Sequence, residues 1–77
     1  MWVKIKQIKV SDKQYLKVDK YKVDKHRKFL EEGGDILPID VVKINETEFN
    51  ICGNGRHRYY GVIAAGFYMI EVNVLNE

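Results

Sequence analysis

Ile51-Cys52-Gly53-Asn54-Gly55-Arg56-His57-Arg58-Tyr59-Tyr60-Gly61-Val62-Ile63-Ala64-Ala65-Gly66 is the run that decides how this chain folds. It opens on an apolar pair that reads as a strand end and passes through three turn-forming residues. A helical apolar period then follows at Tyr59, Val62, Ile63 and Gly66. Strand, glycine turn, helix is the implied order. The first helical turn carries Arg56, His57 and Arg58 beside the positive end of the helix dipole, where exposed cations each cost on the order of 0.3 to 1 kcal/mol. A docked anion reverses that sign. Backbone N–H groups at a helix start already point at it, and the lack of Cβ at Gly53 and Gly55 lets the backbone approach it. The stretch therefore reads as an oxyanion site, above all for phosphate, made of Gly53, Asn54, Gly55, Arg56, His57 and Arg58. This reading requires the guanidinium groups to converge and to be free of the protein's own carboxylates. The plainer alternative makes Asn54 an ordinary N-cap and sends the arginines to solvent or to nearby glutamates.

Outward from this run, Glu48 to Cys52 reads as a strand returning from a turn at Asn45 to Thr47, and Ile36 to Ile44 as its hairpin partner. Pro38 places the start of that partner at a strand beginning or a sheet edge. Asp19 to Glu32 fits a helix capped by Asp19, with Val23, His26, Phe29 and Leu30 inward and Gly33-Gly34 as the stop. Trp2 to Val10 alternates as a strand, with Trp2, Lys4, Lys6, Ile8 and Val10 on one side, and Ser11 to Gln14 forms a polar connection. Tyr68 to Leu75 is a last strand with Ile70, Val72 and Val74 on one face. The expected order is β-α-β-β-α-β, a single compact α/β domain with a mixed sheet over residues 1–77.

Gly55-Arg56-His57-Arg58-Tyr59, followed by Ala64-Ala65-Gly66 and a strand, resembles the signature of the ParB/sulfiredoxin-like superfamily. Leu37-Pro38-Ile39-Asp40-Val41-Val42 resembles that family's Pro-Ile-x-Val strand, and the similarity covers roughly residues 19–75. The resemblance implies the same element order. Sulfiredoxins carry a nucleophilic Cys where this chain has Arg56, so sulfinate reduction is not expected, although His57 and Arg58 match the residues that follow it. The CTP-binding chromosome-partition members have Gly-Glu-Arg-Arg-x-Arg here. Aligned on Gly55 and Gly66, their Glu falls on Arg56 and their last Arg on Tyr60, and Arg58 alone keeps its type. Phosphate binding survives this comparison, whereas CTP hydrolysis loses its ground. The helical DNA-binding domain that follows in partition proteins has no counterpart in these residues.

Composition narrows the remaining classes. At 77 residues with 45% hydrophobic and 31% charged residues, the chain is expected to fold as one soluble domain with a thin stability margin, which dimerisation would relieve. Lysines interrupt the opening, and no apolar run approaches the roughly 20 residues of a membrane span, so a cytoplasmic location without membrane contact is expected. Cys52 is the only cysteine, and reads as a buried small hydrophobe. His26 and His57 have no metal-spaced companions, so no metal site is expected. Residues 1–28 hold ten Lys or Arg against three Asp, a net +7, and residues 29–77 hold three against eight, a net −5. The basic front either guards a strand edge or attracts phosphates.

Three functions follow. The first is a phosphate or nucleotide-binding module, with the cofactor unknown or a nucleotide with Mg²⁺. The second is a protein that grips the DNA backbone; its nuclease form would use His57 as base but finds no carboxylate in the motif to hold a metal. The third is a protein-interaction or inhibitor module that has lost the family's chemistry, acting on a protein partner or as a homodimer. Enzymatic activity stays open among them.

Overall fold

The computed structural model describes residues 1–53 and 55–75. The elements in chain order are β1 (Trp2–Lys4), a 3-10 turn (Ile5–Gln7), β2 (Ile8–Lys9), α1 (Asp12–Leu16), α2 (Lys20–Glu31), β3 (Ile39–Lys43), β4 (Phe49–Ile51), α3 (Arg56–Ala64) and β5 (Met69–Leu75). Five strands form one mixed sheet in the order β1-β5-β3-β4-β2. β5 runs parallel to β3 and antiparallel to β1, while β4 runs antiparallel to β3 and parallel to β2.

The expected α/β architecture is present, with two additions. The first is a break in the opening strand. Instead of continuing from Trp2 to Val10, the chain makes a 3-10 turn in which the Gln7 Oε1 accepts from the Lys4 amide and Gln7 Nε2 donates to the Thr47 carbonyl. The turn shifts the inward face, so that Val3 and Ile8, which a continuous strand puts on opposite sides, are both buried. It also carries the chain from one end of the strand order to the other. Laid flat, the outer two of five strands lie ~19 Å apart, whereas the step from Lys4 to Ile8 spans at most ~14 Å. The sheet is therefore strongly curled.

The second addition is α1, where a plain connection was expected. Ser11 Oγ accepts from the Gln14 amide and the Gln14 side chain accepts from the Ser11 amide, a reciprocal cap. Gln14 Nε2 also donates to the Ile51 carbonyl at 2.6 Å, which ties α1 to the strand that leads into the glycine turn.

The core lies between the concave sheet and α2 and α3. Ile39, Val41, Ile51 and Val72 are its fully buried centre, joined by Val3, Ile8, Phe49, Ile70, Tyr59 and Val62. Val74, expected inward with Ile70 and Val72, is exposed, although its neighbour across the β3–β5 ladder, Val41, is fully buried. Phe29 is likewise exposed, although Val23, His26 and Leu30 face inward as expected. The two helices cross closely at Gly61, where an added Cβ would lie 2.5 Å from the His26 Cβ.

Candidate functional site

β4 ends at Ile51, the chain turns through Gly53, and α3 begins at Arg56. The two glycines serve different ends. Gly53 sits at φ +66 with open space around it, so the turn needs the left-handed backbone glycine allows. Gly55 is buried in the ordinary helical region, and an added Cβ would lie 3.0 Å from Ile39 Cβ and 3.2 Å from Ile51 Cγ2. Its missing side chain lets the start of α3 settle on the core, and is not a gap facing a ligand. Asn54, expected at the centre of the turn, lies outside the described residues. Gly55 occupies the N-cap position, and no side chain among the described residues caps the helix. No acidic residue lies in its first turn.

The three basic residues do not converge. Arg56 and Arg58, two positions apart on a helix, project to different flanks. Arg56 Nε donates to the Lys17 carbonyl at 3.4 Å, toward α1. Arg58 Nη1 donates to the carbonyls of Leu37 and Pro38 at 3.2 and 3.1 Å, toward the start of β3. Neither forms an ion pair with a carboxylate among the described residues. The convergence that a three-cation cradle needs is thus absent, while the required freedom from carboxylates holds.

His57 lies between them and points at the start of α2. It is only 7% exposed, and its Nε2 accepts from the Asp19 amide at 2.9 Å. An imidazole that accepts at Nε2 is neutral there and carries its proton on Nδ1. Burial holds its pKa below the ordinary 6.5, helped by Arg56 and Lys22 and partly opposed by Asp19. His57 is therefore spoken for as the receiver of an α2 N-terminal amide.

Two features of the site escaped the sequence pattern. Beside Arg58 runs a groove of about 540 Å³, lined by Lys25, His26, Phe29, Ile36, Leu37 and Arg58, with Asp35 at its rim. Burial, Arg58 and Lys25 all lower the pKa of His26. The Lys17 carbonyl meets Arg56 beside the first turn of α3, and the charge of Lys22 on α2 helps to lower the His57 pKa. Only the odd placement of apolar Phe29 and Leu37 beside basic residues could have signalled the groove. Cys52 is half-buried, and its amide donates to the Asp40 carbonyl.

The whole chain superposes on a crystal structure of sulfiredoxin from Arabidopsis thaliana, with a TM-score of 0.81, 19% identity and 84% of that chain covered. It also superposes on the C-terminally truncated chromosome-partitioning protein ParB from Caulobacter crescentus complexed with CTP-gamma-S, with a TM-score of 0.77, 17% identity and full coverage of this chain. This chain spans 44% of that ParB chain. No protein-family profile matches the sequence, and no curated protein matches it. The fold is ParB/sulfiredoxin-like. No helix among the described residues is long and apolar enough to cross a membrane.

Proposed function

We propose that this chain is a binding module for a small phosphate-bearing ligand of the nucleotide class, seated where α3 begins. The observation that carries the proposal is the first turn of that helix, which has no acidic residue and no side-chain cap among the described residues. Because Arg56 and Arg58 splay to different flanks, the three-cation cradle is given up and the helix amides take its place. In this reading the amides of Arg56, His57 and Arg58 receive phosphate oxygens, and Arg56 pairs with one of them. Arg58 joins two regions, since its amide lies in the first turn and its side chain lines the groove with Lys25, Phe29 and Leu37. An apolar groove bordered by Lys25 and Arg58, with the acidic Asp35 also at its rim, suits the flat body of a nucleotide whose phosphates lie on the Arg58 side. The ParB structure with CTP-gamma-S supports the ligand class, because the same fold holds a nucleotide there. Among the described residues no three His, Cys, Asp or Glu stand together as metal ligands, so Mg²⁺ would arrive with the phosphates.

Thermal unfolding against a panel of nucleoside mono-, di- and triphosphates, with and without Mg²⁺, tests the proposal. A ligand at about 100 times its Kd stabilises by about 2.7 kcal/mol, which raises the midpoint of a domain this size by several degrees. The matching nucleoside without phosphate gives no shift, and Arg56→Ala loses most of the effect. A flat response to every di- and triphosphate ends the proposal.

One observation favours a second reading. Among the ten Lys and Arg of residues 1–28, only Lys9 and Arg27 pair with carboxylates among the described residues, leaving a basic surface able to follow a phosphate backbone. Anisotropy with short single- and double-stranded DNA then falls steeply between about 50 and 200 mM salt. Affinity that is absent, or insensitive to salt, removes this reading.

A further inference from the structure

An exposed apolar surface lies away from α3's first turn, where β1 meets the start of β5. Trp2 is 62% exposed and Tyr68 is 86% exposed, and Ile63, Phe67 and Met69 are exposed around them. Phe67 and Met69 form a ridge between two hollows. On one side is a groove of about 690 Å³ edged by Lys4 and Lys6, and on the other a cleft of about 290 Å³ edged by Asp35 and Glu71. The β1–β5 register sets Trp2 opposite Glu71 and Lys4 opposite Met69, so both charges border the same apolar surface. None of these four charged residues has an ion-pair partner among the described residues.

An apolar centre with a charged rim is the anatomy of a protein interface. The distribution of sign says what covers it. A two-fold axis through the Phe67–Met69 ridge exchanges the two flanks, bringing the lysine side of one copy onto the carboxylate side of the other, twice. We propose that this surface is the self-association face of the protein and that its occupant is a second copy of this chain. A partner of one dominant sign would satisfy one flank and be repelled by the other. A stable dimer needs ~800 Å² from each partner, a modest part of the 5405 Å² this chain exposes. Edge-to-edge strand pairing is a poorer route, because Gln7 already occupies the Lys4 amide on the outer rim of β1.

Sedimentation equilibrium over a range from micromolar to near-millimolar chain tests the proposal. The expected mass rises from 9.0 kDa toward twice that value. Phe67→Glu weakens association about tenfold or more. Tyr68→Glu, at a position too exposed to matter for folding, does the same, and circular dichroism confirms that both variants keep the fold. The double variant Lys4→Glu with Lys6→Glu, and the double variant Asp35→Lys with Glu71→Lys, each stay monomeric alone and associate when mixed. A wild-type mass of 9.0 kDa throughout overturns the proposal, as does association that survives Phe67→Glu and Tyr68→Glu, or a mixture of the two charge variants that stays monomeric.

Discussion

His57 shows how a single residue in a functional-looking motif can be claimed by the fold. Its Nε2 receives the Asp19 amide, one of the donors that α2 leaves open at its start. Burial disfavours the imidazolium, the nearby Arg56 and Lys22 charges add to that, and the pKa lies below 6.5. Protonation would also set two donors against each other at the Asp19 amide. The unfolded chain then takes up the proton first as pH falls, and stability present above about pH 6.5 is lost progressively on acidification. His26, also lowered, adds to the same trend. The unfolding midpoint should therefore drop between about pH 7.5 and 5. His57→Gln, which keeps an acceptor that does not titrate, should flatten the curve and leave only the His26 share. Identical pH curves for the two proteins would contradict this account. The sequence placed Arg56, His57 and Arg58 on the first turn, and α3 begins there. It could not say where they point, because their partners are the carbonyls of Lys17, Leu37 and Pro38 and the amide of Asp19, all about 20 to 40 positions away.

At the scale of the element, the helices differ in what made them legible. α2 announced itself through an Asp19 cap, an inward stripe and a glycine stop, and it forms over Lys20–Glu31 with Gly33 at φ +88. α1 was equally announced by Ser11 and Gln14 in capping-box spacing, a signal that the polar look of the segment masked. The break between β1 and β2 had no such signal, since it depends on Gln7 reaching Thr47 across the fold. Gly61 makes the α2–α3 crossing testable. Gly→Ala in a free helix gains about 1 kcal/mol, but here the new Cβ would meet His26 Cβ at 2.5 Å, with the Val23 carbonyl and the Arg27 amide at 3.4 Å. We expect Gly61→Ala to lower stability by about 1–3 kcal/mol net, read as a lower urea midpoint. A variant more stable than the parent would mean that α2 can move aside freely.

For the whole molecule, a small core is the governing fact. Among the described residues ten apolar side chains are buried, and Ile39, at 0% exposure, packs against Gly55 at the start of α3. A domain of this length has on the order of 4–12 kcal/mol of stability in all, and Ile39→Ala removes about 2–5 of it. The variant should be partly unfolded at 37 °C by circular dichroism, whereas an unchanged melt would show that the packing at Gly55 relaxes to fill the space. The α/β class and most of the element order along the chain followed from periodicity, because they depend on local alternation and turns. The curl of the sheet did not, because it follows from one short link reaching between two distant rims.

That link has a further consequence. β1 and β2 come from the same ten residues, yet they shield opposite margins of the sheet, with β5 behind one and β4 behind the other. Loosening this opening segment would bare two ladders of unpaired amides and carbonyls together. A molecule damaged there can recruit a neighbour on either flank, so open-ended fibres are the form its misassembly should take.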